Sequence, residues 1–174
     1  MHAVVGNRPG LSAVELEILG QNLPERLEEL LRSASRESSR PDLVERDLDK
    51  AARLAPDHAA VLIARYRFFF FQGRLEDALD VADLCLAKAL RENRLGSDWR
   101  AVRPEQAPFG DWGAVLPRFF LFSLKGWAYL RMRLGDLPAG RRAVDKLLEL
   151  DPTDKVGAKV LLDVLVRRDR DDDD

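Results

Sequence analysis

Leu134-Gly135-Asp136-Leu137 opens a run that carries Gly140, Val144 and Leu148, and Gln72-Gly73-Arg74-Leu75 opens a like run with Ala78, Ala82 and Leu86. Each tetrad follows a strongly apolar stretch with helical spacing. The unit is helix, tight glycine turn, helix. Such units bury their apolar faces by stacking on one another. An all-α chain that works by presenting a surface is therefore expected.

Composition agrees. A chain of 174 residues, 46% hydrophobic and 33% charged, is long enough for one domain with a real core. A net charge of −2 argues against a nucleic-acid binder, which usually shows a basic face. Cys85 is the lone cysteine, so no internal disulfide forms, and a reducing, cytoplasmic setting is expected. No stretch has the length and apolarity of a membrane span, and MHAVVGNRPG lacks the pattern of a signal peptide.

Strand signals are scarce, and helix caps recur. Ser12 with Glu15, and Asn22 with Glu25, read as capping boxes. Pro41 and Asp42 start a helix that buries Leu43, Val44, Leu48, Ala51 and Leu54. Asp57 is expected to cap the next helix, which Gly73 ends; Leu75 to about Asn93 forms its partner. Helices resume at about 117–134 and 137–150. Thr153 or Asp154 caps a last helix, expected to bury Val156, Val160, Leu161, Val164 and Leu165 and to cover the end of the stack. The acidic tail 167–174 is expected to fray, because negative charge at a helix C-terminus is unfavourable.

Residues 94–117 break the pattern with Gly96, Pro104, Pro108, Gly110, Gly113 and Pro117. A loop this long is uncommon without a role. Trp99, Phe109 and Trp112 make disorder improbable, so the loop is expected to fold back on the helices. Its rings serve either as a core plug or as a lid or partner contact.

These residues resemble a tetratricopeptide repeat, whose unit is about 34 residues in two antiparallel helices. In the second copy Leu124, Ala128, Gly135, Gly140, Val144, Leu147 and Pro152 fall at the family spacing. In the first, Leu62, Tyr66, Phe69, Gly73, Ala78, Ala82 and Cys85 do so, with Leu90 where the proline should stand. A weaker upstream copy ends at Leu48, Ala51 and Pro56. The resemblance implies antiparallel hairpins stacked as a short right-handed superhelix with a C-terminal capping helix, all in a single domain over residues 1–174.

In that family the concave face is lined by the first helix of each pair. The resemblance places Ile63, Arg67, Phe70 and Phe71 there from one helix. From the other it places Phe122, Lys125, Tyr129, Met132 and Arg133. Some members hold a peptide's terminal carboxylate here; this chain has Lys125 and Arg133, but Tyr129 where an asparagine is expected. The surface reads as an apolar groove with basic points. The consecutive Phe68 to Phe71 spread over about 300° of a helix, more than a single packing partner covers, so one or two of these rings must face a second neighbour.

Catalytic signals are weak. No glycine-rich phosphate loop appears, and His2 and His58 offer too few ligands for a metal. Cys85 with His58 forms a conceivable nucleophile and base, but Cys85 sits on an apolar helix face beside Ala82 and Leu86. The leading expectation is a non-enzymatic adaptor or assembly factor, without cofactor, that binds a protein or peptide. The alternatives are a dedicated chaperone for an aggregation-prone subunit, an enzyme with its site in the 94–117 loop, and a homo-oligomer.

Overall fold

A computed structural model of the chain describes residues 23–171. The capping boxes at Ser12 and Asn22, and His2, lie outside those residues. Seven α-helices occur among the described residues: α1 (Glu25–Arg36), α2 (Pro41–Leu54), α3 (Ala59–Phe71), α4 (Leu75–Glu92), α5 (Val115–Arg133), α6 (Leu137–Leu150) and α7 (Lys159–Asp171). No strand occurs among the described residues. Each helix packs on the next in chain order, which makes a stack.

The two glycine turns share one geometry. Gly73 (φ 71°) and Gly135 (φ 96°) adopt the left-handed conformation that a side chain disfavours. In each, the N–H two residues past the cap donates back into the last turn, Arg74 to the Phe69 carbonyl at 2.9 Å and Asp136 to the Arg131 carbonyl at 2.8 Å. These short reversals fold α4 back along α3 and α6 back along α5. A third closure of this type ends α4, where the Leu95 N–H reaches the Leu90 carbonyl at 2.9 Å and Arg94 takes the left-handed place (φ 56°).

The main core is built from α3 to α7 and includes Leu62, Ala82, Leu86, Phe119, Leu124 and Leu147. Two smaller clusters, Leu27–Ala51–Val61 and Ala34–Val44–Leu48, tie α1 and α2 to α3. Buried Asp47 joins α2 to α1 by accepting the Ser33 hydroxyl at 2.6 Å. Between α4 and α5, the Trp127 indole N–H donates to Asp83 at 2.8 Å.

Several local expectations are corrected. His58, not Asp57, caps α3: its Nδ1 accepts the Ala60 N–H at 3.2 Å, while Asp57 pairs with Arg91 at 2.7 Å. Leu54 is more than half exposed, because it is the last residue of α2 and no neighbouring helix covers it. The last helix starts at Lys159, five residues beyond Asp154, whose carboxylate accepts the N–H groups of Ala158 and Lys159 across an intervening turn. Val160 is consequently exposed, while Val156, Leu161 and Leu165 are buried. That helix also continues to Asp171, past the point where the tail was expected to fray.

The 94–117 segment folds back as expected. It forms two 3₁₀ turns, Trp99–Ala101 and Pro104–Gln106, and α5 begins within it at Val115. Trp99 and Phe109 are buried, their rings 5.5 Å from Trp127 and 5.8 Å from Phe120. Lysines hold the segment down by its backbone: Lys146 donates to the Val102 carbonyl at 2.9 Å and Lys155 to that of Gly110 at 2.7 Å. Trp112 stays 43% exposed.

Candidate binding cleft

Between α3 and α5 lies a cleft of about 280 Å³. Ile63, Tyr66, Arg67 and Phe70 line it from α3. From α5 come Phe119, Phe122, Ser123, Lys125, Gly126 and Tyr129; α4 adds Ala82 and Cys85, and α7 adds Val160 and Leu161. The helical repeat explains the α3 wall, since positions 63, 66, 67 and 70 share one face. The rings of Phe70 and Tyr129 meet across the two helices with centroids 5.7 Å apart.

Gly126 permits this approach. A methyl group there would stand 2.8 Å from the Tyr66 hydroxyl, too close for an ordinary contact. Burial, with Cys85 and Tyr129 nearby, lifts that hydroxyl well above the usual phenol range, so it stays protonated. Burial likewise pushes the Cys85 thiol up to about 12, against the opposing pull of Arg65 and Lys88. A thiol so protonated is a poor nucleophile.

Of the nine groove residues expected from sequence, six come together here: Ile63, Arg67, Phe70, Phe122, Lys125 and Tyr129. Three stand elsewhere. Met132 is buried under Gly140 of α6, because it lies on the Leu124–Ala128 stripe that faces that helix. Phe71 is 72% exposed at the end of α3, edge-on to Phe70 but outside the cleft lining. Arg133 flanks the cleft, donating to the Tyr129 hydroxyl at 2.7 Å and lying over that ring. The four phenylalanines thus divide: Phe69 is buried, Phe68 and Phe70 are half-buried, and Phe71 is exposed.

Lys125 also differs from a freely presented cation. Its ammonium donates to the Val156 carbonyl at 2.6 Å and so ties α5 to the turn before α7. Burial holds its pKa below the usual lysine range, with Asp154 opposing.

Tyr66, Ser123 and Gly126 went unrecognised as cleft residues. A signal existed: Ser123 and Gly126 are small residues one turn apart between Phe122 and Tyr129, the pattern that leaves room beside a helix.

Of the three rings in the 94–117 loop, only Trp112 reaches the neighbourhood of the cleft, with its ring 6.0 Å from Phe122. Among the described residues no group of three or more His, Cys, Asp or Glu could hold a metal, and no helix is long and apolar enough to cross a membrane.

No family model matches the chain, and no solved structure matches it. A curated relative does. The chain is 38% identical over 122 residues to an uncharacterized 19.8 kDa protein in the nifW 5′ region of Azotobacter chroococcum mcd 1, a match spanning 70% of this chain and 68% of that one. The chain belongs to the same family as that protein.

Proposed function

We propose that this is a non-enzymatic interaction module of tetratricopeptide type, which takes an apolar segment of a partner protein into the α3–α5 cleft. The observation that carries the reading is the cleft itself: an apolar hollow between the leading helices of two successive hairpins, with exposed Val160 at its margin. Anchoring a helix or extended segment by a few apolar side chains is what such a hollow does physically. The matching geometry of the Gly73 and Gly135 turns supports the repeat assignment. A buried free thiol at Cys85 suits a reducing cytoplasm.

A second reading is a dedicated chaperone for one subunit; the relative's name places that protein in the nifW 5′ region. If gene order is shared, neighbouring products are the first partners to test. The enzyme alternative in the 94–117 loop is weakened by the burial of Trp99 and Phe109 in the core.

Photo-crosslinking tests the proposal. A benzophenone amino acid at Phe70 should capture a co-expressed partner, one at exposed Arg142 of α6 should not, and Gly126→Leu should abolish capture at Phe70. Equal capture from both positions would count against the cleft.

A further inference from the structure

We infer that the anchor taken by the cleft is a tyrosine side chain of the partner segment, its ring against the aromatic walls and its hydroxyl on those of Tyr66 and Ser123. The inference rests on the cleft reading above and adds the anchor's chemistry.

The walls favour a ring. Tyr66 and Phe70 stack with ring centroids 5.9 Å apart, and Phe70 meets Tyr129 at 5.7 Å. Phe119 and Phe122 add to the lining from α5. Such walls hold a further ring better than an aliphatic chain, because ring pairs gain free energy beyond the area they bury. The volume suits one ring and its substituents. A cavity of about 150 Å³ accepts benzene, and this one is about 280 Å³.

Polar groups on the lining choose among rings. Arg67, Lys125 and Tyr129 are already engaged, Lys125 with the Val156 carbonyl and Tyr129 with Arg133. The Cys85 thiol is only a weak donor. Two hydroxyls remain, on Tyr66 and Ser123, and among the described residues neither has a hydrogen-bond partner. They belong to one neighbourhood. The Tyr66 hydroxyl stands against Gly126, and Ser123 lies three residues before Gly126 on the same side of α5. Each hydroxyl can both donate and accept. A phenol tip meets both roles at once, accepting from one hydroxyl and donating to the other, whereas an indole N–H only donates. A phenylalanine seated here would bury both hydroxyls without partners, which is costly.

Toluene and p-cresol, the side-chain analogues of phenylalanine and tyrosine, test this by amide NMR shifts of the isotope-labelled full chain. Titration with p-cresol should shift the amides of Phe70, Ser123 and Gly126, with binding about fivefold tighter than that of toluene, the worth of one net hydrogen bond. Tyr66→Phe with Ser123→Ala should remove that margin. Ser123→Ala alone, a milder change, should narrow it. If toluene binds as tightly as p-cresol at those amides, or the variants leave the margin intact, the tyrosine anchor falls and the cleft reading stands. If p-cresol shifts only amides elsewhere, the anchor falls as well, and capture at Phe70 decides the cleft reading by itself. Sub-micromolar binding of free p-cresol would put a small molecule in place of the partner's side chain and overturn both.

Discussion

Gly140 of α6 lies directly against Met132 of α5: a Cβ built at position 140 would collide with the Met132 Cγ and sit 3.1 Å from the Ala128 carbonyl oxygen. Both residues are buried, and the contact sets how closely the second hairpin closes.

Gly140→Ala brings a helix-propensity gain of about 1 kcal/mol against an overpacking cost of about 1–3 kcal/mol, so a small net loss is expected. Gly140→Leu should destabilise far more, beyond the reach of any propensity gain. Pairing Gly140→Ala with Met132→Ala should recover part of the overpacking cost, a non-additivity readable in a double-mutant cycle of thermal melts. A Gly140→Leu protein that melts like wild type would show that the helices have room to spare.

The rings of the 94–117 segment should separate by energy. Trp99→Ala empties a core site beside Trp127 and should cost about 3–5 kcal/mol in urea unfolding. Trp112→Ala removes an exposed ring and should cost less than about 1 kcal/mol. Similar losses at both positions would mean that the segment is held by something other than its buried rings.

His58 gives stability a pH dependence of known sign. Burial, then the Lys88 charge, holds its imidazole below the ordinary 6.5, and only the neutral ring accepts the Ala60 N–H. As pH falls past 6.5 the unfolded chain takes up a proton that the folded chain resists. Stability should therefore drop from neutral pH downward until the folded ring also protonates. His58→Asn should keep a cap and flatten this slope, while His58→Ala should cost about 0.5–1 kcal/mol at neutral pH. Denaturation midpoints over this range check it; an unchanged slope in His58→Asn would assign the pH dependence to other groups.

Arg94 occupies a left-handed position that glycine fills in the two hairpin turns. Relieving its Cβ should make Arg94→Gly more stable by about 0.5–1 kcal/mol. A lower melting temperature would instead show that the Arg94 side chain contributes more than the backbone strain costs.

Much of the local structure was readable from single residues. Pro41 starts α2, Gly73 and Gly135 end α3 and α5, and the intervening apolar spacing gives helices, because caps, turns and periodicity act within a few residues of chain. Reading failed where a choice depended on distant neighbours. Asp57 is the stronger capping residue by type, but Arg91 of α4 draws its carboxylate away and leaves the cap to His58. Lys125 looked like a presented cation until the Val156 carbonyl stood beside it. Met132 and Tyr129 are three residues apart on one helix, and only the placement of α6 decides that the first is buried while the second lines the cleft.

The amino-acid order by itself thus determined the helices, their reversals and which faces are apolar, since these follow from backbone preferences and spacing. What the folded chain alone decided is how those faces are shared out. Burial on one helix depends on the side chains another brings to it, and the hollow between α3 and α5 exists because Gly126, Tyr66 and Phe70 meet there from positions some 60 residues apart.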